Sequence, residues 1–195
     1  SAYIEYVILF FMFLGGTNFT LHYLALHGKV NTYFKDDEFK FYLGLIAITV
    51  ISLTVYLVIA NGTPVEKTFR NVAFSILSIL TSTGFATADY ELWAPFTSTF
   101  FLIMLLLGAC AGSTSGGVKM IRYQLLIKNS LVEVKRLLHP NAIVPVRHNG
   151  KAVPNEIIAK VSAFVLTYLG IFAIGSLILS TTGLDLKSSM GSVAA

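Results

Sequence analysis

Residues 41–60 and 92–111 form two uncharged apolar runs, each 20 residues long, and they bracket a run of only ten, residues 71–80. That inequality constrains the chain more than any other feature. A helix needs about 20 apolar residues to cross a bilayer, whereas runs of about 10–14 enter and turn back or lie at the interface. Lipid offers no hydrogen bonds, so each crossing backbone must satisfy its own polar groups as a helix or in a closed barrel. The runs are continuous rather than alternating, which selects helices over barrel strands. The order is a span, a half-span, the small-residue segment Thr81-Ser82-Thr83-Gly84-Phe85-Ala86-Thr87, and a second span. That is the layout of an ion-conducting pore unit, in which main-chain carbonyls of the loop replace an ion's water shell.

Composition agrees. Charged residues make up 12% of the 195-residue chain and hydrophobic ones 55%, against about 25% charged in soluble domains. The fold class expected is an all-α integral membrane protein. Of the 14 Lys and Arg residues, only Lys67, Arg70 and Lys187 lie outside two basic connections. One connection holds Lys29, Lys35 and Lys40, and the other runs from Lys119 to Lys160. The positive-inside rule places both in the cytoplasm. The basic residues flank apolar spans without forming an aromatic-basic patch, so nucleic acid is not an expected partner. The single cysteine, Cys110, sits in apolar sequence and reads as a small packing residue. The first residues lack a basic leader or cleavage site, and the chain is expected to begin inside a longer sequence.

A first span covers residues 3–26, interrupted at Gly15, Gly16 and Asn18. After the span at 41–60, the segment 61–64 turns, with Thr63 able to cap a helix that starts near Val65 and ends at Leu80. The span at 92–111 follows, with Trp93 as an interfacial anchor. A basic amphipathic connection then turns at His139-Pro140 and Asn149-Gly150, and a last span covers 157–180. An offset of 121 residues aligns Gly62 with Gly183 and Val72-Ala73 with Val193-Ala194, which suggests a repeat. The expected division is an inner helix and connection at 1–40, a complete helix–pore-loop–helix unit at 41–122, a cytoplasmic connection at 123–156, and the start of the next unit at 157–195.

Successive carbonyls aimed at one axis need a residue free of Cβ restrictions, which is the use of Gly84. Thr81, Ser82 and Thr83 can add hydroxyl oxygens without charge, Phe85 can brace the loop from behind, and the C-terminal end of helix 65–80 adds a negative dipole. Potassium is expected at Ser82, Thr83 and Gly84. The second segment of interest is Gly108, then Gly112-Ser113-Thr114-Ser115-Gly116-Gly117, then Lys119. Glycines every four residues fit helix packing, but glycine costs about 1 kcal/mol per helical position. Irregular backbone at membrane depth is kept where it lines a cavity or is buried in protein, so the sharper reading is a gate or plug. A phosphate-binding loop is excluded, since Gly112 and Gly117 are followed by Val118-Lys119 and no strand precedes them. Lys119 can snorkel, pair with a carboxylate or face the pore.

At the 81–89 and 108–119 segments, and at Gly16-Thr17-Asn18-Phe19 with Leu21-His22-Tyr23, the chain resembles the Trk/Ktr/HKT superfamily of potassium transport proteins, and TrkH-type membrane subunits most of all. The resemblance implies four covalently linked pore units around one pore, with this chain a fragment. It would hold the inner helix of the second unit, the third unit, and the outer helix of the fourth. It implies that Ser82, Thr83, Gly84 and Phe85 form the third filter segment and that 112–117 is an intramembrane loop obstructing the pore. It also implies residence in a bacterial inner membrane among lipid, a homodimer, and a cytoplasmic nucleotide-binding regulatory subunit that could engage residues 119–155. Potassium is then the transported ligand, and no cofactor is expected in this chain.

Two other readings compete with potassium uptake: one pore unit of a homotetrameric cation channel, and a non-conducting membrane scaffold. The extra spans at 3–26 and 157–180 argue against the tetramer. No enzyme is expected: His22, His27, His139 and His148 are dispersed, and Ser113 and Thr114 have no adjacent base.

Overall fold

The computed structural model describes residues 1–139 and 144–194. Helix α1 spans Ala2–Gly15 and α2 Phe19–Leu26. A short α3, Asn31–Lys35, leads into the long α4, Asp37–Asn61. The half-length α5 is Val65–Leu80. After the loop come a 3-10 turn at Tyr90–Leu92 and α6, Thr97–Leu107. Then follow α7, Met120–Leu138, the antiparallel hairpin of β1 (Arg147–His148) and β2 (Lys151–Ala152), α8, Asn155–Ser180, and α9, Leu186–Ala194. The hairpin turns at Asn149-Gly150, both with positive φ, as a two-residue turn between antiparallel strands demands. The other expected turn, at His139-Pro140, runs into residues outside those described.

The core lies where α4 and α1 pack on α5. Tyr42, Ile46, Val50, Leu53 and Leu57 are buried along one face of α4 at three- and four-residue steps. On the C-terminal half of α5 burial extends round most of the helix: Val72, Ile76 and Leu80 are fully buried, and the small polar residues Ser75 and Ser78 are buried with them. From Val72 onward α5 is thus surrounded largely by protein, while Val65 and Phe69 stay exposed, and close van der Waals packing rather than transfer out of water holds it there.

Four spans are expected from sequence, and the helices differ from that count. Only α4 and α8 are individually long and apolar enough to cross a membrane among the described residues. The segment 3–26 is a pair, α1 and α2, bent by 99°. Its break falls on Gly16-Thr17-Asn18, where the Asn18 side chain accepts from the Thr20 amide at 2.8 Å and caps α2. The run at 92–111 is apolar throughout yet helical only from Thr97 to Leu107. Pro95 lacks a donor and cannot sit inside a helix. Thr97 Oγ1 donates to the carbonyls of Tyr90 and Ala94 at 2.7 and 2.6 Å, closing the turn before α6. Thr63 does not cap α5 through its backbone; its hydroxyl meets that of Thr68 at 2.7 Å. The order of elements recurs at the same offset: long α4, positive-φ Gly62 and a helix opening at Val65 are followed by long α8, positive-φ Gly183 and a helix opening at Leu186.

Candidate functional site

Helix α5 ends in a knot of side-chain hydrogen bonds. Thr81 Oγ1 donates to the Leu77 carbonyl at 2.7 Å, Thr83 Oγ1 to the Ser78 carbonyl at 3.3 Å, and the Thr83 amide to the same carbonyl at 3.0 Å. The last carbonyls of a helix have no partner of their own, and the threonine hydroxyls supply one. Ser78 Oγ in turn donates to the Phe85 carbonyl at 2.6 Å, seven residues on, and fixes the far side of the loop. Ser82 and Gly84 both take positive φ, 55° and 71°. A serine pays for that conformation whereas glycine does not, and with nothing within 4 Å of a Cβ built on Gly84, conformation rather than space is what glycine supplies there.

The outcome differs from expectation in one respect. The hydroxyls of Thr81 and Thr83 are turned into the protein, and Ser82 Oγ accepts from the Gly116 amide at 3.2 Å, so the side chains are spent on structure. The carbonyls of Thr81, Ser82, Thr83 and Gly84 accept no hydrogen bond among the described residues, and residues 82–84 are exposed. The main-chain oxygens of 82–84 are therefore left free, beside the second lone pair of the Ser82 hydroxyl. Phe85 does not brace the loop with its ring, which is 57% exposed; the brace is its carbonyl, held by Ser78. The buried Ser78 hydroxyl needs an acceptor, and the Phe85 carbonyl supplies it.

The glycine-rich segment is irregular from Gly108 to Lys119. Gly108 has φ +66°, and a Cβ there would lie 2.5 Å from the Gly116 carbonyl oxygen, so the two ends of the loop touch through bare backbone. The loop leans on the bend between α1 and α2. The Cys110 amide donates to Gly16 O at 3.1 Å, the Thr114 amide to Gly15 O at 3.2 Å, and the Phe19 amide to Gly112 O at 3.0 Å. Internally, Ser115 Oγ accepts from the Ala109 amide at 2.8 Å, and Ser113 Oγ donates to the Cys110 carbonyl at 2.6 Å. Gly116 and Gly117 carry the link to Ser82 and the contact with Gly108. Lys119 does not snorkel: its Nζ donates back to the Ser115 carbonyl.

The loop has a second anchor. Glu38 is buried, and its Oε1 accepts from the amides of Ala111 at 2.6 Å and Ile121 at 3.1 Å. Thus the broken helix, the filter-like loop, the glycine-rich segment and the start of α4 converge on one place.

The whole chain, residues 1–195, matches the family model described as TrkH, cation transport protein. The chain belongs to the TrkH family. Among curated relatives of this TrkH-family chain, the Trk system potassium uptake protein TrkH of Salmonella typhimurium is 34% identical over 197 residues, covering 100% of this chain and 41% of the relative. The Trk system potassium uptake protein TrkG of Escherichia coli is 35% identical over 194 residues, covering 98% and 40% respectively. The crystal structure of the potassium transporter TrkH from Vibrio parahaemolyticus superposes on the whole chain with a TM-score of 0.92 at 31% identity, covering 42% of that chain. This TrkH-family chain therefore spans about two fifths of the length of the relatives it matches.

Sequence reasoning brought together Thr81–Gly84 and 108–119 in this TrkH-family chain but missed Ser78 and Glu38. Ser78 had a legible signal. It lies three residues after Ser75 on a helix otherwise apolar at its end, and a buried hydroxyl at a helix C-terminus seeks a nearby carbonyl. Glu38 was hidden in Asp36-Asp37-Glu38, where three adjacent acids read as one solvated cluster.

Proposed function

We propose that this chain contributes one pore segment to a channel-like potassium uptake transporter of the Trk system in a bacterial inner membrane, passing ions down their electrochemical gradient. The observation that carries the reading is the set of carbonyls at Thr81–Gly84 that have no partner among the described residues, at the buried C-terminal end of a half-helix whose dipole favours a cation. Dehydrating a potassium ion is compensated there by main-chain oxygens already fixed by Thr81, Thr83 and Ser78. The segment Gly108–Lys119, touching Ser82 through Gly116, is the gate: it is irregular, built of small residues and placed beside the filter loop. The division into 1–40, 41–122, 123–156 and 157–195 belongs to the same proposal.

The remaining filter segments come from the rest of the same subunit. Alignment of the entire chain with two fifths of one TrkH chain supports this over a homotetramer of single pore units. A homodimer of such subunits and a nucleotide-binding regulatory partner on the basic side complete the assembly. The relatives' names describe potassium uptake, which supports a non-enzymatic role.

The test is rubidium uptake by cells lacking other potassium uptake, carrying the full-length transporter with Gly84→Val. A β-branched residue at φ +71° forces the loop to rotate its carbonyls. Uptake should fall at least tenfold, or sodium should be admitted, at unchanged membrane abundance. Unchanged flux and selectivity would favour the scaffold reading.

A further inference from the structure

The acidic run at the start of α4 faces two ways. Asp36 and Asp37 grip the β1–β2 turn: Asn149 Nδ2 donates to Asp36 Oδ2 at 2.9 Å, the Asn149 amide to Asp37 Oδ2 at 3.1 Å, and the Asp37 amide to Asn149 Oδ1 at 2.7 Å. Lys128 of α7 joins them, its Nζ 2.9 Å from both Asp37 Oδ2 and the Arg147 carbonyl. The next residue, Glu38, points the other way and binds Ala111 and Ile121.

Ile121 is the second residue of α7, whose own cap residue Lys119 supplies no side-chain cap. Glu38 therefore caps α7 from another helix, where a carboxylate also meets the positive end of the dipole. The same oxygen fixes the amide of Ala111 inside the irregular loop. One carboxylate thus ties the middle of that loop to the helix that follows it. Because residues 36–38 form a single turn at the head of α4, a shift of the hairpin relative to α4 is felt at Glu38 with no flexible link between.

We propose that Glu38 is a positioning residue that holds the 108–119 loop in its present place, and that the Asn149 clasp on Asp36 and Asp37 sets how firmly it does so. The inference rests on the reading of that loop as the gate. It assigns the cytoplasmic hairpin a mechanical route to the gate: pulling Asn149 away loosens the Asp36–Glu38 turn and frees Ala111.

Cys110 reports loop position without reference to transport. It adjoins Ala111 and is 1% exposed, so it reacts with a thiol reagent only when the loop lifts. The measurement is the maleimide labelling rate of Cys110 in the purified full-length transporter with its other cysteines replaced. Glu38→Ala should raise the rate about tenfold, and Glu38→Gln, which keeps an acceptor oxygen, should restore most of the protection. Asn149→Ala should raise it severalfold, and the double variant Glu38→Ala with Asn149→Ala should add little beyond Glu38→Ala alone. Glu156→Gln, which breaks an exposed pair with Lys160, should change nothing. Labelling unaltered by both Glu38 substitutions overturns the positioning role, and fully multiplicative effects of Glu38 and Asn149 overturn the coupling. Faster labelling with unaltered rubidium flux would leave Glu38 as the holder of the loop and remove the loop's role as a gate.

Discussion

Two glycines separate conformational need from spatial need. At Gly84 a methyl group meets no neighbour, so Gly84→Ala costs only the left-handed backbone, about 1–2 kcal/mol. At Gly108 the backbone, φ 66° and ψ 176°, lies in a region essentially reserved for glycine, a methyl group would also lie 2.5 Å from the Gly116 carbonyl oxygen, and overpacking adds about 1–3 kcal/mol. Thermal unfolding of the full-length transporter in detergent should therefore show a clearly larger fall in midpoint for Gly108→Ala than for Gly84→Ala. Transport should be sensitive to both. Equal falls would mean that the close approach of Gly108 to Gly116 is not a fixed part of the structure. Sequence alone singled out both positions, because glycine in small polar surroundings is conspicuous. It misjudged the hydroxyls of Thr81 and Thr83, since residue type does not say whether an oxygen faces an ion or the preceding helical turn.

Among elements, α5 is the part most directly readable from sequence: its ends at Val65 and Leu80 follow from the turn before it and the small-residue loop after it. Helix α4 and helix α8 follow from run length. The run at 92–111 misled because hydropathy averages over Pro95 and Gly108, which delimit α6 more firmly than any apolar residue extends it. The α1–α2 break was marked by Gly15, Gly16 and Asn18, but its 99° bend is set by the loop packed into it. Two predictions belong to α5. Ile76→Ala empties a fully buried site and should destabilise the transporter by about 2–5 kcal/mol, read as a lowered unfolding midpoint. Ser78→Ala removes the donor that holds the Phe85 carbonyl, a loss of about 0.5–1.5 kcal/mol. Its effect should appear as a severalfold drop in potassium preference over sodium while maximal flux is largely kept. A proportionate loss of both ions would place the Ser78 brace outside the filter.

At the level of the whole molecule, polarity and exposure divide the chain. Helix α8 leaves Leu166, Ile171, Ile174, Leu177 and Ile178 exposed, an apolar surface suited to lipid. The hairpin and α7 carry Lys128, Lys135, Arg136, Arg147 and Lys151, and under the proposed topology the positive-inside rule puts that end in the cytoplasm. Single cysteines placed at Lys151 and at Thr63 in the full-length transporter should label from opposite faces, Lys151 only after the membrane is permeabilised and Thr63 from outside. Labelling of both from one face would invert or abolish the half-span arrangement.

The central claim is that bare main-chain oxygens at Ser82, Thr83 and Gly84 hold the passing cation. Crystals of the full-length transporter soaked in a rubidium or thallium salt test it most directly, through the anomalous scattering of the ion. The account predicts a peak within coordination distance of those three carbonyls, lost in Gly84→Val. Ion density confined to other sites, with none at Ser82–Gly84, would contradict it.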